Sequence, residues 1–270
     1  MRTAISSLEY RRPHSLEEAL QLQATDPRTP LAGATDLYVA LNFGTLESTR
    51  FLDLALLEPL RVIEQRGDNL RIGALATYTE IIRSPLVNAR IPMLVSAARQ
   101  TGGLQIQNRG TLGGNIANAS PAGDSLPVLL AVNAVVVMGS TNGERRVPLT
   151  DFYTGYRKSV LKPEELIVAI EIPPVTGRQF FRKVGTRAAQ AISKVVFAGI
   201  QGNPPGIALG SVGPMVVRAR QTEKALRNGA TADEAVAVLQ QEITPIDDLR
   251  SSADYRRVVA GNLLRQFLAG

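Results

Sequence analysis

The chain has no cysteine. That excludes disulfides, thiolate zinc sites and any cysteine-ligated iron–sulfur cluster carried by the chain itself. Histidine is nearly as scarce: His14 stands alone, and one imidazole cannot serve both a nucleophilic triad and a metal site. Its neighbours Pro13 and Ser15 read as loop, so a surface position is expected. Long apolar runs are missing too, none reaching about 18 residues, so no membrane span is expected. Met1-Arg2-Thr3-Ala4 leads into polar Ser6-Ser7 with no apolar core for a signal peptide. Arg11-Arg12 lacks the apolar segment that a twin-arginine export signal needs, and a cytoplasmic location is the expectation. Neither G-x-G-x-x-G nor G-x-x-x-x-G-K-[ST] occurs, which disfavours Rossmann and P-loop readings.

Basic residues outnumber acidic ones, for a net charge of +6, which favours anionic ligands or acidic surfaces. The arginines are scattered, as Arg11-Arg12, Arg145-Arg146, Arg218, Arg220 and Arg256-Arg257. No dense basic tract interleaves with aromatics, so they read as solvated surface and no nucleic-acid partner is expected. Glu164 and Glu165 are adjacent; if their segment is strand-like they point to opposite faces, and they read as solvated rather than as an acid–base pair.

With 270 residues and a hydrophobic fraction of 44%, the chain can bury one large and one smaller domain. Ser15-Leu16-Glu17-Glu18 reads as a capping box that opens a helix to about Gln23. Pro27 to Pro30 reads as a turn. The runs 51–54 and 61–64 are strand-like, and Arg66-Gly67-Asp68-Asn69 turns the second into a hairpin with 70–73. Pro92 suits the first position of a helix carrying Met93, Leu94, Ala97 and Ala98. Asn142-Gly143 signals a hairpin between 135–138 and 144–147. A strand over 166–172 precedes Pro173-Pro174-Val175-Thr176-Gly177, the best domain boundary. Strands follow near 180–184, 194–200 and 206–209, the last two joined by Asn203-Pro204-Pro205-Gly206. The remainder reads as helices. Thr231-Ala232-Asp233-Glu234 is a second capping box, and Tyr255, Val259, Leu263 and Phe267 form one apolar stripe, read as core. Strands and helices mix without regular βαβ alternation, which predicts an α+β fold.

Two glycine-bearing stretches stand out. One is Leu31-Ala32-Gly33-Ala34-Thr35-Asp36-Leu37. The other runs Thr101-Gly102-Gly103-Leu104-Gln105-Ile106-Gln107-Asn108-Arg109-Gly110-Thr111-Leu112-Gly113-Gly114-Asn115, and continues through Ser120-Pro121 to Asp124. Small residues let backbone N–H groups approach an anion, and glycine tolerates the angles that converge them. Threonine and asparagine add short polar side chains. Two such loops suit a diphosphate held between them; either alone reads as ordinary turn chemistry.

In order and spacing these stretches resemble the FAD-binding medium subunits of the molybdenum hydroxylases, the xanthine dehydrogenase and carbon monoxide dehydrogenase flavoprotein family. The family pattern is roughly A-G-G-T-D-L, then T-[LIV]-G-G-N and S-P-x-x-D. Ala34 stands where a second glycine is common; alanine offers its N–H but resists a strongly positive φ. Phe152-Tyr153-Thr154-Gly155-Tyr156-Arg157-Lys158 and Ile192-Ser193-Lys194-Val195 look most like the xanthine dehydrogenase branch. The resemblance implies a two-part FAD-binding domain of the vanillyl-alcohol-oxidase/PCMH type over 1–174, with subdomains of about 1–54 and 55–174. A smaller C-terminal α+β domain, an antiparallel sheet packed by helices, would occupy 178–270.

The same resemblance implies that Leu31, Ala32, Gly33, Ala34, Thr35, Asp36 and Leu37, with Thr111, Leu112, Gly113, Gly114 and Asn115, surround the FAD diphosphate. Ser120 and Asp124 fall at family positions, Asp124 for polar contacts to the cofactor. Its other reading is the N-cap of a helix over 125–130. Thr101 lies where the family places a residue against the cofactor. Lys194 matches a lysine near the flavin, where a cation stabilises the reduced anionic ring; its other reading is a surface lysine. Tyr156, Arg157 and Lys158 match without an assignable contact. No catalytic side chain and no metal ligand is assigned. The FAD is expected to be non-covalent, since no cysteine is present and neither His14 nor any tyrosine lies in an attachment motif.

The implied function is electron transfer. A partner large subunit with molybdopterin oxidises substrate, a partner small subunit carries [2Fe–2S] clusters, and FAD here passes electrons to NAD+ or another acceptor. The expected assembly is a dimer of heterotrimers. Two rivals stand beside it: a stand-alone FAD oxidoreductase, for which no convincing proton donor is present, and a non-enzymatic interaction module.

Overall fold

The structure is a computed structural model that describes residues 5–270, so the reading of residues 1–4 lies outside it. The N-terminal unit is a small parallel sheet of Glu9–Arg11, Arg50–Asp53 and Thr29–Leu31, with Arg50–Asp53 in the middle. The helices Leu16–Thr25 and Leu37–Phe43 make its crossovers. This is βαβαβ alternation, contrary to the sequence reading, and Thr29–Leu31 is a strand where a turn was expected. Strands of three or four residues carry too few side chains to show a period.

A five-stranded antiparallel sheet follows, in the order Ile63–Arg66, Asn69–Gly73, Leu166–Ile172, Val135–Ser140, Gly143–Pro148. Both hairpins fall where their turn signals placed them, and Gly143 takes φ 102°. Helices between residues 78 and 131 cover one face and fill the main core with Leu94, Leu112, Ile116, Leu126 and Leu129. The helix Pro92–Gln100 starts at the expected proline.

The C-terminal unit is an antiparallel sheet of Arg178–Val184, Val195–Gln201, Gly206–Gly210 and Val217–Arg218, followed by three helices. Its sheet is buried on both faces. Val195, Phe197, Ile207 and Leu209 pack with Leu263, Leu264 and Phe267 of the last helix. Ala198, Ile200 and Ala208 instead join the main core. Alternation along one strand thus serves two cores. Val217–Arg218 is a strand in a region read as helical. Among the described residues no helix is long and apolar enough to cross a membrane, and no His, Asp and Glu cluster could hold a metal.

Several local expectations change. Ser15 caps its helix by accepting from the Glu18 N–H at 3.1 Å, but Glu18 accepts from the His14 N–H at 2.7 Å, so the box closes one residue early. The box at Thr231 and Glu234 is complete. In the last helix Leu263 and Phe267 are buried while Tyr255 is exposed, because the buried face runs through Arg256, Ala260 and Leu264. Arg256 is not solvated: it donates to the carbonyls of Lys194 at 2.7 Å and Ser211 at 2.9 Å, and to Asp248 at 2.7 Å.

Glu165 is also buried rather than solvated. Arg145 grips it with two nitrogens at 2.8 and 2.7 Å, and the Lys162 N–H adds a bond of 3.0 Å. The Arg145 hydrogen bond holds the Glu165 carboxyl below its ordinary value. A depressed carboxylate contributes stability above its unfolded value, and that contribution is lost as pH falls through the folded one. Glu165→Gln should therefore cost about 1–2 kcal/mol at neutral pH, discounted because Arg145 is partly exposed. The gap to wild type should shrink on acidification towards about pH 4. Thermal melts of both proteins at the two pH values check this, and an unchanged gap contradicts the ion-pair account.

Candidate cofactor site

The first loop leaves the sheet at Leu31, whose carbonyl accepts from the Leu54 N–H at 2.9 Å. Two residues on, a Cβ at Gly33 would lie 1.7 Å from the Arg109 carbonyl oxygen. The two glycine stretches therefore touch, backbone against backbone, where only glycine fits. Ala34 takes φ 62°, so the alanine does adopt the left-handed conformation that its side chain resists. Asp36 follows in the right-handed region at φ −84° and makes no side-chain cap bond to the helix Leu37–Phe43. Among the described residues, the backbone N–H groups from Gly33 through Leu37 find no acceptor.

The second stretch behaves differently. Thr111 caps Leu112–Asn118 by accepting from the Gly114 N–H at 3.1 Å. The Leu112 and Gly113 N–H groups donate to the carbonyls of Ala76 at 3.0 Å and Ala74 at 2.9 Å. A Cβ at Gly113 would meet the Ala74 Cβ and carbonyl at 2.7 Å. Leu112 and Gly113 therefore fasten this helix to the turn that follows the strand Asn69–Gly73 instead of offering donors outward. Their glycine and leucine serve packing, which sequence alone could not separate from anion binding.

Between the two stretches lies a cleft of about 410 Å³, within the range of small-molecule sites. Ala32, Gly33, Ala34, Thr35, Asp36 and Leu37 line one wall, and Thr101, Thr111, Gly114 and Asn115 the other. Thr29, Pro30, Tyr78, Ile106, Gly110, Ala117, Asn118 and Leu161 complete it; Ile106 and Gly110 belong to the second glycine stretch, whereas sequence reasoning had not singled out the others for the site. Tyr78 was discoverable only through its cap, Thr77, which forms a full capping box with Glu80. Arg157 gains a contact here, donating to Asn118 Oδ1 at 2.9 Å from a backbone at φ 53°.

Other expected residues lie off the lining. Leu31 faces an apolar hollow of about 170 Å³ on the far side of the loop, with Tyr10, Tyr38 and Phe51. Ser120 accepts from the Ala122 N–H at 3.3 Å within its own turn. Lys194 is not brought to the cleft; its ammonium sits 4.9 Å from the ring centroid of Tyr255. Asp124 does not cap a helix, since Ser125 takes the N-cap position of Leu126–Ala131. It is buried, and its Oδ2 pairs with Lys183 Nζ at 2.6 Å, while Oδ1 has no partner among the described residues. Burial pushes its pKa up to about 6, against the pull of Lys183.

Comparison with known proteins fits this geometry. Residues 6–175 match the family described as the FAD binding domain in molybdopterin dehydrogenase. Residues 181–270 match the CO dehydrogenase flavoprotein C-terminal domain. The glyceraldehyde dehydrogenase medium chain of Sulfolobus acidocaldarius is 34% identical over 93% of this chain and 93% of its own. The carbon monoxide dehydrogenase medium chain of Hydrogenophaga pseudoflava is 32% identical over 96% and 95%. A putative xanthine dehydrogenase FAD-binding subunit of Escherichia coli is 31% identical over 92% and 90%. A solved carbon monoxide dehydrogenase from H. pseudoflava superposes with a TM-score of 0.88 at 30% identity, over 96% of this chain and 95% of that one.

Adjacent substitutions test the loop contact. Gly33→Ala must push the loops apart and should cost about 1–3 kcal/mol, as overpacking does. Ala34→Gly relieves a left-handed residue and should gain up to about 1 kcal/mol, after the added freedom of the unfolded chain is offset. Opposite shifts in melting temperature are expected. The same sign for both would count against the backbone contact.

Proposed function

The chain belongs to the FAD-binding medium subunits of the molybdenum hydroxylases, and from that membership we propose that the cleft holds FAD and hands electrons onward within a larger complex. The observation that carries this is the row of unpartnered N–H groups from Gly33 through Leu37, facing the second loop across the cleft. Such a row suits a diphosphate, which brings acceptor oxygens and negative charge. Thr35, Gly114 and Asn115 would stand beside it, and Gly33 lets the walls close around it. Bound FAD supplies redox chemistry in steps of one or two electrons. The residues bind, orient and shield it, and none is assigned a bond-making role.

In this reading electrons reach the site from [2Fe–2S] clusters on a small partner subunit, fed by a molybdopterin-binding large subunit. NAD+ or another acceptor takes the electrons onward, in a dimer of heterotrimers of the xanthine dehydrogenase kind. The absence of cysteine supports the division of labour, because this chain cannot ligate such clusters through thiolates.

Two outcomes follow. The flavin should be non-covalent, so acid precipitation of the holoprotein should leave it in the supernatant; yellow colour kept in the pellet contradicts this. The isolated chain with FAD should pass electrons from NADH to a dye, yet oxidise neither an aldehyde nor a purine. Such oxidation by the purified single chain would favour a stand-alone oxidoreductase.

A further inference from the structure

Ser125 stands at the N-cap position of the helix Leu126–Ala131, where a serine hydroxyl ordinarily accepts from a backbone N–H of the first turn. It makes no such bond. The residue is fully buried, so solvent does not occupy the hydroxyl either. Its hydrogen goes instead to Asn115 Oδ1, ten positions earlier, at 2.8 Å. Asn115 lies in the cleft wall. The family pattern S-P-x-x-D ends at Asp124, one residue short of Ser125, and assigns that serine nothing.

The bond fixes which end of the Asn115 amide faces the cleft. An amide oxygen only accepts, whereas the nitrogen carries two donors. Oδ1 is turned inward: besides its bond to Ser125, it lies 3.2 Å from where a Cβ of Gly123 would stand. Nδ2 has no acceptor among the described residues and is not closed off from solvent. Behind Ser125 the Tyr78 hydroxyl lies 3.4 Å from the serine oxygen, a weak contact. Ser125 gives its own hydrogen to Asn115 and has only lone pairs left for Tyr78, so the tyrosine is the donor. Burial pushes the Tyr78 pKa above its ordinary value, and the phenol stays protonated. The hydrogens therefore run one way, from Tyr78 to Ser125 to Asn115, and the amide nitrogen carries that direction into the cleft. With the amide reversed, Oδ1 would face the cleft and repel a phosphate oxygen.

We propose that Ser125 is a positioning residue for the cofactor: it holds the Asn115 oxygen inward, so that Nδ2 donates to an acceptor oxygen of the bound diphosphate. The proposal rests on the FAD reading of the cleft. It gives the second wall one side-chain donor, where the backbone N–H groups of Leu112, Gly113 and Gly114 are already spent. A diphosphate oxygen is charged, so the bond it accepts is of the stronger, charge-assisted kind. The hydroxyl that would have capped a helix orients a neighbour instead.

The experiment titrates FAD into full-length apoprotein at neutral pH, followed by flavin fluorescence. Wild type, Ser125→Ala, Asn115→Ala and the double variant form a cycle, with folding checked by circular dichroism. Asn115→Ala should weaken FAD binding about tenfold or more, as loss of a charge-assisted bond does. Ser125→Ala should weaken it about fivefold, since the amide is then free to turn. The double variant should bind no more weakly than Asn115→Ala, because Ser125 acts only through Asn115. A serine that merely stabilised the fold would add its loss in both backgrounds. Phosphorus NMR of bound FAD should show the diphosphate signals displaced in Ser125→Ala towards their positions in Asn115→Ala. Unchanged affinity in Ser125→Ala overturns the proposal, as do additive losses or diphosphate signals left in place. Should Ser125→Ala not fold, Ser125→Cys, whose thiol donates only weakly, takes its place in the cycle. Wild-type protein that takes up no flavin overturns the cofactor reading as well; FAD binding with additive or absent effects overturns only the role of Ser125.

Discussion

One missing side chain lets the two halves of the site meet. At Gly33 the backbone lies so close to the Arg109 carbonyl that a Cβ would stand 1.7 Å from its oxygen. That contact sets the separation of two loops, one leaving the parallel sheet and the other following the helix Pro92–Gln100. It fixes how far the row of free N–H groups stands from Thr111, Gly114 and Asn115. Ala34 shares the burden by holding φ 62°, an unfavourable conformation for alanine that the surrounding contacts must sustain.

The second loop has a different task from the first, although both look alike as strings of small residues. The N–H groups of Leu112 and Gly113 are spent on the carbonyls of Ala76 and Ala74. Its helix is thereby fixed on the five-stranded sheet, and it presents a rigid wall instead of a set of donors. The cleft is asymmetric, with donors on one side and a sheet-anchored wall on the other.

The elements legible in the sequence were those with local signals. Asn142-Gly143, Pro92 and the Thr231 capping box each fix their structure within a few residues, and the structure follows them. What escaped depends on distant partners. The three-residue strands Glu9–Arg11 and Thr29–Leu31 exist because Arg50–Asp53 lies between them. Arg256 and Glu165 are buried because Asp248 and Arg145 neutralise them there. At the site, Ala32 through Leu37 of the first loop line one wall of the cleft, while Leu31 faces the hollow behind it. Lys183 went unnoticed because nothing around it in sequence says that Asp124, 59 positions earlier, will be its partner. Lys194 matched a pattern, yet its side chain turns to Tyr255.

The C-terminal sheet has one face in its own core and the other in the core of the preceding unit, through Ala198, Ile200 and Ala208. A boundary visible in the sequence at Pro173-Pro174 is therefore not a boundary of independent inheritance. Cutting a gene there would leave each product with an uncovered apolar surface, shaped for one mate only. Recombination within such a lineage is constrained to move the chain whole, or to move pieces whose buried faces have already diverged together. The double-faced sheet keeps the two units together over generations as it does within one molecule.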